Sequence, residues 1–232
     1  MPKLVASVDI ATKLTGIEKV PALVEAAISA EAYTRTNFEL WKNVAHVVVS
    51  DEARLKAAHD VLNLQVADAA KELARMENSQ IKTTLDDATD AAGSDWGDPD
   101  NNPFNDIGGV MDVIEGNGFP VDMIAADPLV WIDFFANPFV RGTAGGSQMP
   151  TTKIFAVPGM PGVTGISDTQ LTSTSCFVLS KAGPALMMGE GPVESARYRN
   201  EPTGYDAFII RAWIQPLLVQ SGAIRELTGV HA

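Results

Sequence analysis

One stretch limits what this chain can fold into more than any other: Ser50 to Gln80, SDEARLKAAHDVLNLQVADAAKELARMENSQ, which contains neither glycine nor proline. Leu55, Ala58, Leu62, Val66, Ala69, Leu73 and Met76 recur at steps of three and four and form one apolar stripe, while Lys56, Asp60, Lys71 and Arg75 fall off it. The pattern predicts a single helix. Ser50 is placed to cap its first turn, and Asp51 and Glu52 sit where the helix dipole favours negative charge. At about 1.5 Å per residue such a helix is roughly 45 Å long, a scaffold rather than an ordinary packing unit. Its narrow stripe, small residues included, suits close packing against one sheet or neighbour. A coiled-coil arm fits less well, because the heptad fades after Met76 and the next segment has a globular composition.

Charge and cysteine content narrow the function classes. The 232 residues carry 29 acidic and 17 basic side chains, a formal net charge of -12, and no Lys/Arg cluster that would follow a phosphate backbone. That argues against direct nucleic-acid reading. With 46% hydrophobic residues the chain has ample material for a core, as one large domain or two small ones. A lone Cys176 forms no internal disulfide, fits a reducing compartment, and reads as a small buried hydrophobe. No basic segment followed by an apolar run opens the chain, and no stretch is apolar enough to span a bilayer, so the expectation is a soluble, unexported protein.

Residues before the long helix read as an arm (Met1 to Gly16), a short helix (Ile17 to Ala32) with Pro21 in its first turn, and a protruding β-hairpin from Tyr33 to Val49. Phe38, Leu40 and Trp41 give that hairpin an apolar surface of its own. After the helix, Thr83 to Asp106 is acidic and turn-rich; its spacing does not match a calcium loop, so a solvated surface loop is expected and no metal site. Asn102-Pro103 and Asp127-Pro128 each read as N-cap and first helical residue, with a short strand, Val121 to Ala126, between the two helices. That alternation makes an α/β layer. Arg141 to Pro150 is a glycine-rich connection. Strand-like pieces follow at Lys153 to Val157, Ser175 to Leu179, Val193 to Tyr198 and Tyr205 to Ile214, the last two joined by a Pro202-Thr203-Gly204 turn. Leu217 to Val219 and Ala223 to Leu227 close the chain as a strand or turn pair.

Catalytic signatures are missing from this pattern. His46, His59 and His231 make no metal spacing, Ser147 in GGSQM is not flanked as a nucleophile elbow requires, and the glycine-rich loop lacks the Gly-Lys-Ser/Thr ending of a phosphate loop. No catalytic residue, metal or cofactor is assigned, and the chain is read as not an enzyme.

The order of parts resembles the Hong Kong ninety-seven type capsid fold of tailed-phage major capsid proteins, related archaeal viruses and encapsulin shell proteins. The segment NPFNDIGGVMDVIEGNGFPVDMIAADPLVWIDFF is similar to that family's helix, short strand and second helix, and KIFAVPGMPGV and CFVLSKAGPALMM resemble its paired strands. The resemblance implies an α+β, HK97-like fold divided into an N-terminal arm and helix (1–32), an E-loop hairpin (33–49), a spine helix of the peripheral domain (50–80), an axial domain (81–191) and returning peripheral strands (192–232). Leu55, Leu62, Val66, Leu73 and Met76 would pack the spine, and Phe38, Leu40 and Trp41 would contact a neighbouring subunit. The chain is short for the family and its E-loop compact. Some relatives crosslink an E-loop Lys to a neighbour's Asn with the help of a Glu; Lys42, Asn200 and Glu201 are the matching residue types, but Lys42 is better read as a surface charge.

The function this resemblance implies is that of a major capsid subunit, self-assembling into pentamers and hexamers of an icosahedral shell around double-stranded DNA that it does not read by sequence. Such a protein would reside in the virion and assemble in the host cytoplasm. An encapsulin shell enclosing a cargo enzyme, and cytoplasmic, is the near alternative. From a different class, an α/β enzyme or small-molecule binding protein would place a pocket between the Asp127 region and the glycine-rich loop.

Overall fold

A computed structural model of the chain describes residues 5–11, 33–56, 61–143, 149–182 and 185–232. The expected helix at 17–32, Ala58, His59 and Ser147 lie outside the described residues.

Two strands, β1 (Val5–Ala11) and β2 (Tyr33–Glu39), pair antiparallel as a two-stranded ribbon, with Phe38 opposite Ala6 and an Asp9–Arg35 ion pair at 2.7 Å. Only Leu40 separates β2 from β3 (Trp41–Ser50), yet β3 belongs to another sheet. This corrects the expected hairpin from Tyr33 to Val49, whose two strands pair with different partners and not with each other. Residues 5–11 supply the partner of β2; Ala6, Val8 and Ile10 alternate there with Ser7 and Asp9, a period of two that suits a strand.

The long helix also differs from expectation. A short α1 (Asp51–Lys56) precedes α2 (Val61–Leu85), which runs five residues beyond Gln80. Ser50 Oγ accepts from the Ala53 N–H at 3.2 Å, as an N-cap should. Leu62, Val66, Ala69 and Leu73 are half-buried along α2, as the stripe requires, but Leu55 is 87% exposed and Met76 49% exposed. Leu55 lies on α1, none of whose residues is buried. Met76 turns outward because the packed face of α2 shifts toward Glu77, Gln80, Ile81 and Leu85 as the helix leaves one sheet and enters the core of the other.

The smaller sheet has four strands, β3, β9 (Leu186–Glu190), β10 (Glu194–Asn200) and β11 (Tyr205–Leu218). The first part of β11 lies between β10 and β3, and its last residues pair with β9, all antiparallel. The predicted turn joins β10 to β11 with Gly204 at φ +61, a conformation glycine adopts without steric cost, and the Gly204 carbonyl accepts from Asp51 N–H at 2.9 Å. α2 packs across β3 and β11. The side chains of Asn43 and Gln80 bond reciprocally at 3.2 and 3.0 Å, which satisfies an amide on β3 that is only 2% exposed.

The larger sheet runs β4 (Asp90–Ala92), β12 (Ile224–Thr228), β8 (Ser175–Leu179), β5 (Met123–Ala126), β7 (Thr164–Ser167) and β6 (Ile154–Ala156). β12 is parallel to β4 and antiparallel to β8. The segment 192–232 is therefore divided: β10 and β11 lie in the smaller sheet, whereas β12 is an interior strand of the larger. Both faces of β8 are covered, Cys176 and Val178 by the helical layer and Phe177 by the end of α2, which is why SCFVL reads as a continuous apolar run.

α3 (Pro103–Gly116), α4 (Pro128–Ala136) and the short α5 (Pro138–Arg141) form that helical layer. Asn102, Asp127 and Asn137 cap them, accepting from the N–H groups of Phe104, Leu129 and Phe139 at 3.1, 2.8 and 3.0 Å, each with proline next in sequence. Asn137 also donates to the carbonyls of Trp96 and Asn101 at 3.0 Å each, and Asp106 accepts from Ser94 and the Trp96 indole. The acidic stretch after α2 is thus no free loop: it contains β4 and delivers Trp96, 1% exposed, to the core beside Phe134.

Candidate functional site

The smaller sheet carries the exposed apolar side chains Trp41, Val44, Val48 and Tyr198. In an antiparallel sheet, directly opposed residues share a face. Asn43, Ala45, Val47 and Val49 of β3 therefore face α2 together with Asp206, Phe208, Ile210 and Ala212 of β11. On the opposite face stand Val44, His46 and Val48, the neighbouring Ala207 and Ile209, and Ala196 and Tyr198 of β10. No described element of the chain packs on that face. Val44 is 44%, Val48 45% and Tyr198 41% exposed, and His46 Nε2 lies 3.1 Å from the Tyr198 hydroxyl.

Trp41, the first residue of β3, stands at the base of the ribbon and is 67% exposed, a large apolar side chain left almost wholly in solvent. Leu40 is half-buried beside it, and Phe38 lies on β2, two residues before Leu40. The three residues singled out from sequence fall within positions 38 to 41, at the joint between ribbon and sheet. Lys42 is exposed and opposite Trp213. Asn200 and Glu201 lie at the far end of β10, where Asn200 donates to the Tyr205 hydroxyl at 3.0 Å and Glu201 pairs with Arg199 at 2.6 Å. Within one subunit Lys42 and these two residues are at opposite ends of the sheet.

A charged cluster that the sequence reading missed fixes this sheet to α1. Asp206 has a nearly buried carboxylate that accepts from Arg54 at 2.6 Å and Arg197 at 3.1 Å, with Arg199 at 3.8 Å. Arg199 also forks onto Asp51 at 2.8 and 3.0 Å. The hydrogen bonds from Arg199 hold the Asp51 carboxyl below the usual aspartate range, and Asp51 and Glu201 together raise the Arg199 guanidinium. The signal was present in sequence: Arg197 and Arg199 alternate on one face of β10, and the hairpin register sets Arg199 opposite Asp206.

Residues considered for chemistry are committed to structure. Asp127 spends its carboxylate on a helix cap, and His231 Nδ1 is bonded to Asp133 Oδ2. Cys176 is fully buried, and desolvation pushes its thiol far above the ordinary range, which leaves it unreactive. Among the described residues no group of three or more His, Cys, Asp or Glu is arranged to hold a metal, and no helix is long and apolar enough to cross a membrane.

No family model matches the chain, and no curated protein does. Solved structures do. The capsid of an empty GTA particle superposes with a TM-score of 0.70 at 13% identity, covering 97% of this chain and 85% of that one. The capsid of cyanophage P-SCSP1u gives 0.69 at 11% identity over 100% and 85%. The holo-SrpI encapsulin of Synechococcus elongatus gives 0.65 at 11% identity over 88% and 78%. The chain has the Hong Kong ninety-seven type capsid fold. At such identities the likeness lies in the path of the backbone through ribbon, long helix and two sheets.

Proposed function

We propose that this chain is a shell subunit, a viral major capsid protein that self-assembles into the pentamers and hexamers of a closed icosahedral particle around double-stranded DNA. The observation that carries the reading is the superposition along 97–100% of the chain on capsids of a GTA particle and a cyanophage. Exposed Trp41, Val44 and Val48 support it, since apolar groups without partners in one subunit find them in the next. The resemblance supplies the roles: the ribbon of β1 and β2 acts as the extended arm, α2 as the spine, the four-stranded sheet as the peripheral domain and the six-stranded sheet as the axial domain. The net charge of -12 fits confinement of DNA without tight binding to it.

An encapsulin shell is the second reading, favoured by the match to the holo-SrpI encapsulin at a TM-score of 0.65. Negative-stain electron microscopy of purified protein tests the shared claim: closed particles or capsomer rings are expected, and a monodisperse monomer at high concentration refutes it. Nuclease-protected DNA inside the particles marks a capsid, and a co-purifying protein cargo an encapsulin.

A further inference from the structure

Eight arginines occur in this acidic chain, and all but one hold an internal partner. Arg35, Arg54, Arg75, Arg197, Arg199 and Arg211 pair with carboxylates, and Arg141 donates to the Phe135 carbonyl at 3.3 Å. Arg225 on β12 is the exception, with no hydrogen bond or ion pair among the described residues. Directly opposite Val178 of β8, its half-buried side chain projects on the face covered by the helical layer. There it lines a cleft of about 490 Å³ between α3 and β4, together with Thr89, Ala91, Asn105, Gly109 and Val113. Two features keep the cleft open. A Cβ at Gly109 would meet no atom within 4 Å, and β4, paired with β12 alone, has no strand on its outer edge among the described residues. Two aspartates at the rim leave Arg225 unpaired: Asp106 accepts from Ser94 and the Trp96 indole, and Asp90 stands beside Glu226 on the opposite face.

We propose that this cleft is a docking site for an extended, carboxylate-bearing segment of a second copy of the chain, with Arg225 as its anchor; the choice of a second copy rests on the shell reading. A partly desolvated guanidinium without an acceptor is costly, and a carboxylate satisfies it with two parallel hydrogen bonds. Phosphate fits less well, because the cleft offers one cation beside two carboxylates, where a nucleic-acid backbone needs a run of cations. A free small acid would leave the edge of β4 unpaired. A peptide segment brings main-chain groups to that edge and lays an apolar side chain against Val113, which is 46% exposed. The copies themselves carry what the cleft lacks. Acidic residues outnumber basic ones 29 to 17, and Asp98, Asp100 and Asp112 are exposed and pair with no cation among the described residues. A contact between Arg225 of one subunit and a carboxylate elsewhere on the next is head-to-tail, so it propagates round a ring instead of closing a twofold dimer. Pentamers and hexamers need contacts of that kind.

Photo-crosslinking tests the occupant, and charge removal tests the anchor. With p-benzoylphenylalanine in place of Gly109, where a Cβ meets open space, irradiated particles should yield a species of twice the chain's mass, joined at a peptide that contains Asp or Glu. A link to DNA or to a foreign protein, or no link between copies, overturns the proposal. In sedimentation of the full chain, Arg225→Gln should weaken association about tenfold or more, and raising salt from about 0.1 M to about 0.5 M should weaken the parent far more than the variant. The dissociated Arg225→Gln subunit should melt no lower than the parent. A lower melting temperature overturns the proposal, since it gives Arg225 a partner within its own chain. A parent that stays monomeric refutes the shell reading and this occupant together, whereas particles formed equally by parent and variant refute the docking site alone.

Discussion

The two sheets of this chain differ in what covers them. The six-stranded sheet has α3 and α4 on one face and the end of α2 on the other, and no residue of its interior strands is exposed. The four-stranded sheet has α2 on one face and no described element on the other, and all but the last residue of β10 are exposed. The larger sheet is therefore closed on both faces by the chain itself, whereas the smaller leaves one face without a described element upon it.

Substitutions that separate the lobes should have graded effects on subunit stability. The largest is expected in the aromatic group of the helical layer, where Phe134 touches Trp96, Phe104, Trp131 and Phe135. Phe134→Ala should cost about 3–5 kcal/mol by denaturant unfolding. Next comes Asp206→Ala, which strips the shared acceptor from Arg54 and Arg197; about 1–3 kcal/mol is expected, since the arginines stay half in water, and salt should shrink the difference. Leu73→Ala, half-buried on α2, should cost about 1–2 kcal/mol, whereas Leu55→Ala should change stability by less than about 0.5 kcal/mol. Equal losses at Leu73 and Leu55 would mean that α1 continues the packed face of α2 after all. The smallest effect on melting is expected for Trp41→Ala, which should leave circular dichroism unchanged yet reduce particle yield in electron micrographs. Assembly at the parent's level would remove Trp41 from any contact between subunits.

How much was legible in sequence follows the same division. Asn102-Pro103 and Asp127-Pro128 announced α3 and α4 because a cap and a fixed φ are local causes with local effects. SCFVL and the alternation of β11 likewise declared their strands. What stayed hidden depended on distant partners. The strand β1 alternates Ala6, Val8 and Ile10 with Ser7 and Asp9, but nothing local names its partner, and β2 and β3 look like one hairpin because only Leu40 divides them. Met76 fits the stripe by spacing but not by packing, since the face a helix buries is set by what lies beside it. Glu226 reads as an ordinary charged residue in IRELT; only pairing with both β4 and β8 makes it an interior carboxylate.

The position of β12 sets the order in which the molecule can become whole. Every other strand of the larger sheet is synthesised before it, yet it separates β4 from β8 in the finished sheet. Until those residues are made, β8 has an open edge and β4 has no described strand beside it. The contacts that close the gap join Asp90 to Glu226 across most of the chain, the kind of long loop that is slow to form. A nascent subunit thus carries an unfinished lobe while its ribbon and small sheet already exist. Closure of the larger sheet is thus the last pairing that synthesis permits, with β12 entering between two strands already made.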